Sequence, residues 1–442
     1  MNFSESGWLF ENPEDNIIRD VDDSDILDLF RLAVEEEETW VKNINANARE
    51  MATNLASPPN QNFFVHLVTI SNSEKALLPT PFGYMLTVSS RKHLFRGERE
   101  IYPCPAIPSM NRKCVVAGYD KSKTLLAYAV AQLRIELFTE FLWKFNLFPA
   151  WEATISEVNY KALAQHYGFD TCLLDLTNDA RIAILFATCK FDNVTNTFSP
   201  LTENDIKAKP GETDHGLIYV SPDWCKDFNN GGGTMNLMQR IAGLPKEGFI
   251  DPESGYLDGI AFQIGYQPMM RCSEQCGYIY PMRNTSTISP YDDYLFEKLR
   301  FKQSTELSHK IYEMTDHGKI AAPYEGISKA MDVVEEIRKK TVFSRKLVTA
   351  VYDNDISLRN TYAIPDTLMA DLDGFVLYDG TDKNTISVVE EDEEIVLSDD
   401  VFAEINEMYS VEKAVDRIGD LIKETPEARA WRDKRYRELY GE

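Results

Sequence analysis

Gln165-His166-Tyr167-Gly168-Phe169-Asp170-Thr171-Cys172-Leu173-Leu174-Asp175-Leu176-Thr177 decides how the chain is read. Tyr160, Leu163 and Ala164 put apolar residues on one face of a helix, and Ser156 is a suitable cap for its start. Gly168 stops that helix, leaving Gln165 and His166 in its last turn. Thr171 to Asp175 then reads as a short buried strand. Thr177 or Asn178 caps a second helix that turns Ile182, Leu185, Phe186 and Cys189 inward. A histidine, a carboxylate and a hydroxyl therefore fall at the junctions of one helix–strand–helix unit.

Upstream, Leu126, Val130, Leu133, Leu137, Phe141 and Leu142 give a long helix, Lys123 to Phe145, a continuous apolar stripe. Before it, Phe95-Arg96-Gly97-Glu98 follows the extended run Tyr84 to Val88 and the basic triplet around Lys92. Ser24-Asp25 opens a helix with Ile26, Leu27, Phe30, Ala33 and Val34 on one face, preceded by an irregular acidic lead. Ser57-Pro58-Pro59 breaks the chain, and Phe63 to Ile70 reads as a strand. Downstream of the core, a polar loop is expected over 192–215 and strands over 216–220, 259–263 and 277–280. Asn229 to Thr234 is a flexible turn without the lysine and spacing of a phosphate loop. Beyond about 290 the pattern turns helical, with clear periodicity from Ile327 to Lys340. Short strands are expected at Lys346 to Tyr352 and Phe375 to Tyr378, and a final helix runs from Val401. These boundaries predict an N-terminal helical region (1–60), a central domain (61–290), a helical extension (291–350) and an acidic C-terminal α/β region with a basic helical tail (351–442).

The chain has 442 residues, enough for two or three domains, and a formal net charge of −25. That charge disfavours direct binding to a nucleic-acid backbone. Residues 351–410 hold sixteen Asp and Glu against two Lys and Arg, so this segment supplies fourteen of the net charges. It reads either as a solvated face or as a docking surface for a basic protein partner. No apolar run approaches a membrane span, and the acidic N-terminus lacks a secretory signal pattern, so a cytoplasmic location is expected. Seven cysteines with scattered spacing make no disulfide framework. Cys272 and Cys276 read as alternating strand positions, and no metal site is expected.

Four segments together resemble the bacterial and phage FRG domain family: Phe95 to Glu98, Pro108-Ser109-Met110-Asn111-Arg112, Gln165 to Thr177, and Arg271 to Gly277. The resemblance spans roughly residues 85–285. It implies an α+β fold in which a central mixed sheet is flanked by helical N- and C-terminal regions, and it raises a role in conflict between phage and host. The order of polar residues is also similar to that of ADP-ribosyltransferases. That likeness implies NAD as ligand, with Arg96 at the pyrophosphate, Gly97 at the carboxamide, Thr177 on the ribose side and Gln275 at the sugar hydroxyl. Glutamine stands where a glutamate is expected, so Glu98 or Asp175 is the alternative carboxylate. Glu98, Arg112, Gln165 and Arg271 complete the candidate ligand-binding set, and His166 and Asp175 the candidate catalytic one.

Each of these residues also has a quieter reading. His166 is either a general base or a hydrogen-bonded histidine at a helix end. Asp175 needs a cationic partner if buried, and Arg96 or Arg112 would make an internal clamp with it. The two functions that remain are an NAD-dependent transferase or NAD-cleaving enzyme, and a non-catalytic binding or sensor module whose acidic region docks a partner.

Overall fold

A computed structural model describes residues 18–55, 77–80, 83–86, 93–101, 106–154, 158–192, 195–206, 214–221, 261–264, 267–281, 297–379, 382–391, 396–409, 426, 430 and 434. The strands are β1 (Ile18–Asp20), β2 (Leu77–Thr80), β3 (Gly83–Leu86), β4 (Phe95–Glu98), β5 (Leu173–Thr177), β6 (Cys189–Asp192), β7 (Thr197–Pro200), β8 (His215–Val220), β9 (Phe262–Gln263), β10 (Gly277–Pro281) and β11 (Glu297–Lys302). Among the described residues, seven of them form one sheet in the order β1-β11-β8-β4-β5-β10-β9. Its β1–β11 pair is parallel and the other pairs are antiparallel, so the fold is α+β around a central mixed sheet.

Helices cover the sheet because their apolar residues cannot stay in water. They are α1 (Asp23–Leu55), α2 (Ser109–Val116), α3 (Lys121–Trp143), α4 (Leu147–Thr154), α5 (Tyr160–His166) and α6 (Ala180–Thr188). The start of α1 is fixed by Asp22, whose side chain accepts from the amides of Ser24 and Asp25. Ile26, Leu27, Leu29, Phe30 and Ala33 are buried against α6 and β11. The α3 helix, capped by Asp120, is buried nearly all round rather than along one stripe, since Thr124 to Ile135 is an unbroken buried run. It lies among α2, α4, α5 and the later helices Met331–Lys339 and Arg345–Asn354. Asn159 caps α5 and Asp179 caps α6, where the sequence pattern had pointed to Ser156 and to Thr177 or Asn178. Gly168, at φ 83°, takes the left-handed turn that ends α5.

Several sequence expectations are corrected. Residues 197–200 pair with 189–192 as a hairpin, followed by a helical turn at Glu203–Ile206, where a polar loop was expected. The acidic lead ends in β1, and the first described element past 290 is β11. Lys346 to Tyr352 is helical, inside Arg345–Asn354, because Ser344 accepts from the Leu347 amide and starts a helix there. Arg271 to Glu274 is a helical turn rather than strand, and Cys276 sits at φ 48° before β10 begins. Cys272 and Cys276 are thus not alternating strand residues. The expected strand at 63–70 and the turn at 229–234 lie outside the described residues, as does the chain after 409 apart from three isolated positions.

The C-terminal elements share a core with the central helices. Ile327, Val334, Ile337, Phe343, Val348, Leu358, Leu372 and Tyr409 pack in one cluster with α3, α4 and α5. Several acids of the 351–410 segment have structural work. Asp355 caps Ile356–Thr361 and accepts from the Tyr128 hydroxyl at 2.6 Å, while Asp366 pairs with Arg345. Glu390, Glu391, Asp399 and Asp400 are exposed. Among the described residues, no helix is long and apolar enough to cross a membrane.

Candidate functional site

Successive side chains of a strand point to opposite faces, so the Phe95–Glu98 segment divides its residues between the two sides of the sheet. Arg96 and Glu98 lie on the face of Tyr219 and Leu217, their register partners, with Leu174, Leu176, Tyr278 and Tyr280 close by. Gly97 lies on the other face, directly beneath α6. A Cβ there would sit 1.8 Å from the Ala183 carbonyl oxygen and 2.9 Å from the Ala187 nitrogen. The glycine is therefore required by close helix–strand packing.

Its peptide edge is a separate matter. Leu94 donates to Ser221 Oγ and accepts from the Ser221 amide, so its peptide groups face the β8 side. Alternation along an antiparallel strand then turns the Gly97 N–H and C=O toward β5. Yet β4 and β5 share a single register pair, Phe95 with Thr177, while β5 and β10 share five. The two central strands part after Phe95. Arg96 reaches into the opening, where Nη1 donates to the Asp175 carbonyl at 3.0 Å.

Arg96 is held from behind by Glu98, whose Oε1 lies 3.0 Å from Arg96 Nε. Glu98 is buried and also accepts from the Ala106 amide and the Tyr219 hydroxyl, with Arg112 Nη2 at 4.0 Å. Burial works against the Arg96 charge, but Glu98 and Asp175 outweigh it and raise its pKa above the ordinary value. The guanidinium stays cationic, and 18% of its side chain remains exposed.

The opposite face collects a second group. Asp175 and Thr177 point there with Leu173, toward α5 and the Arg271–Glu274 turn. Thr177 Oγ1 donates to the Gln275 carbonyl at 2.6 Å and accepts from the Asp179 amide. The Gln275 side-chain amide donates to the Ala321 carbonyl at 2.7 Å. Gln165 ties helix to strand, donating to the Leu173 carbonyl and accepting from the Thr171 hydroxyl. Arg271 is buried, donates through Nη1 to Asn196 Oδ1 at 2.5 Å, and lies 4.6 Å over the Phe191 ring and 5.5 Å over that of Tyr167.

Residues 91–195 match the family model for the FRG domain. This chain carries an FRG domain. The match contains the first three motifs read from the sequence and ends before the fourth, Arg271 to Gly277, which the fold nonetheless sets beside β5 through the Gly277–Thr177 register pair. No curated protein and no solved structure matches the chain.

Within the FRG domain the candidate residues form two groups separated by the sheet. Arg96, Glu98 and Arg112 make one, and Gln165, His166, Asp175, Thr177, Gln275 and Arg271 make the other. The opening between β4 and β5 is where they approach, through Arg96 and the Asp175 carbonyl. Sequence reasoning missed Glu325, a buried carboxylate that accepts from the Arg271 amide at 2.6 Å and from the Tyr167 hydroxyl at 2.5 Å. The Tyr409 hydroxyl lies 3.5 Å away and accepts from the Ile327 amide. Only the sequence Glu325-Gly326-Ile327-Ser328 hinted at it, as a capping box for the following turn. Among the described residues, no group of three or more His, Cys, Asp or Glu is arranged to hold a metal ion.

His166 is the titrating member of this group. Burial pushes its pKa down to about 4 from an ordinary 6.5, with Arg271 adding to the effect and Asp175 and Gln275 opposing it. The folded imidazole is neutral over a range where the unfolded one takes a proton. Its contribution to stability is complete above pH 6.5 and is lost as pH falls toward 4. Urea midpoints measured across that window should fall with pH in the wild type and fall less steeply in His166→Asn. Equal slopes would show that His166 is not the group responsible.

Proposed function

We propose that the opening between β4 and β5 binds a nucleotide-like ligand, with NAD as the first candidate, for cleavage of its nicotinamide bond or transfer of ADP-ribose. The observation that carries this reading is the Gly97 peptide edge, turned toward a neighbouring strand that has moved away, with the Arg96 guanidinium beside it. A sheet edge satisfies its peptide groups through a partner's N–H and C=O. A planar carboxamide offers the same donor and acceptor. Arg96, cationic and fixed by Glu98, suits a phosphate oxygen a few ångströms further out.

Asp175 is the carboxylate assigned to the reacting sugar. Breaking the nicotinamide bond builds positive charge on the ribose, and a fixed anion nearby lowers that barrier. Gln275 and Thr177 have their polar atoms engaged by the chain itself, so they are assigned to shaping the site. Calorimetric titration of the full chain with NAD should show saturable binding. Arg96→Ala should weaken it about tenfold or more, or about 1.4 kcal/mol. Absence of binding, or an affinity indifferent to Arg96→Ala, contradicts the reading.

A second reading follows from the same contacts. Arg96 is engaged by Glu98 and by the Asp175 carbonyl, and Gln275 by Ala321, so these polar residues also make an internal clamp. The domain would then be a non-catalytic module, with the exposed Glu390, Glu391, Asp399 and Asp400 among the acids meeting a basic protein partner. Salt-sensitive capture of such a partner without any nicotinamide release favours this alternative.

A further inference from the structure

Three buried side-chain atoms on the Asp175 face of the sheet have no hydrogen-bond partner within the protein: Asp175 Oδ1, His166 Nε2 and Arg271 Nε. They come from a strand, a helix end and a separate helical turn. His166 and Arg271 are 8% and 4% exposed. Arg271 acts electrostatically on His166, and Asp175 acts on both. The register places them further. Asp175 is paired with Ile279, so Gly277 is its diagonal neighbour on the same face. His166 Nε2 lies 3.6 Å from the point where a Gly277 Cβ would be.

A buried polar atom left unpaired costs about 1–3 kcal/mol, so three on one face of the sheet call for a guest. Their chemistry is specific. The carboxylate oxygen accepts, the guanidinium Nε–H donates, and the neutral imidazole accepts at Nε2 when its proton is on Nδ1. One water satisfies all three, giving its two hydrogens to Asp175 and His166 and accepting from Arg271. Buried waters characteristically make about three such bonds. The remaining lone pair is free to attack.

We propose that Asp175, His166 and Arg271 hold the water that accepts the ADP-ribosyl group, which makes the reaction NAD hydrolysis rather than transfer to a macromolecule. This inference rests on the NAD reading above. In the step, the bond between ribose C1′ and the nicotinamide nitrogen breaks, and its electron pair returns to the ring and neutralises it. The water oxygen forms the new bond to C1′, and its proton passes to the Asp175 carboxylate and then to solvent. The products are nicotinamide, ADP-ribose and a proton. Asp175 is the catalytic base, and His166 and Arg271 hold the reacting water.

The test uses the full chain and NAD labelled in the adenylate half. Nicotinamide and free ADP-ribose should form in equal amounts, with no label left on protein. Asp175→Asn should lower the rate at least about a hundredfold. Because that variant could lose its fold, the wild type is also run in methanol-containing buffer. A cradle fitted to water yields ADP-ribose and no methyl riboside. Label on protein, nicotinamide release that survives Asp175→Asn, or methyl riboside in proportion to the methanol overturns the water cradle while leaving the NAD reading intact. NAD that binds without releasing nicotinamide overturns the water cradle and the cleavage or transfer proposed above, and leaves only the binding site. Failure of NAD to bind at all overturns both.

Discussion

Gly97→Ala is expected to destabilise the protein by about 3 kcal/mol or more, with no ligand involved. The added methyl would lie 1.8 Å from the Ala183 carbonyl oxygen, about half a normal contact distance, and the atoms it meets are helix backbone. A flexible side chain could swing away, but α6 can retreat only as a unit. That helix carries Ile182, Ala183, Ile184, Leu185 and Ala187 into the core shared with α1 and β8, so its displacement loosens many contacts together. Denaturant midpoints compared with wild type measure the effect. A change within about 0.5 kcal/mol, the range of an ordinary surface substitution, would mean that α6 does not sit as described. The glycine of the FRG motif thus has two duties: its missing side chain admits α6, and its peptide edge faces the opening.

Glu325→Ala is expected to cost about 3–5 kcal/mol and to disturb the site from outside the matched FRG region. The residue is 1% exposed, and its carboxylate takes hydrogen bonds from the Arg271 amide and the Tyr167 hydroxyl. Truncation leaves both donors buried without an acceptor, at about 1–3 kcal/mol each, and removes the capping box that starts Gly326–Ala330. Glu325→Gln should fall between wild type and alanine, since one carbonyl oxygen survives. Thermal unfolding of the three proteins gives the ranking, and an alanine variant as stable as wild type would contradict it. The consequence reaches function because Tyr167 follows His166 and Arg271 precedes Gln275. The C-terminal turn thereby holds both motif segments that flank Asp175.

Much of this was legible in the sequence because it is local. The helix ending at Gly168, the strand after it and the helix through Ile182 follow from periodicity and one glycine, and the structure has all three. The α+β class and central mixed sheet were expected from the resemblance to the FRG family, and the fold has both. What stayed hidden is of two kinds. Lys346 to Tyr352 is rich in branched and aromatic residues, which favour strand, and the Ser344 cap outweighs that local preference. Lys298 to Lys302 alternates polar and apolar and was legible as a strand, but it lies in a stretch whose periodicity is otherwise helical. The second kind is long-range. Glu325 meets Tyr167 across 158 positions and Arg271 across 54, and the one local signal, its capping box with Ser328, points to neither partner. The separation of Arg96 from Thr177 by the sheet is similar, because face and register emerge only once β4 pairs with β8.

The central claim is that the Gly97 edge and Arg96 form one ligand site in the opening between β4 and β5. The most direct measurement follows the backbone amide resonance of Gly97 in the isotopically labelled full chain as nicotinamide, and then NAD, is added. The account predicts a saturable shift of the Gly97 amide with either ligand, and tighter saturation with NAD because Arg96 then meets a phosphate. A Gly97 resonance that does not move while NAD binds elsewhere, or that moves identically in Arg96→Ala, would contradict it.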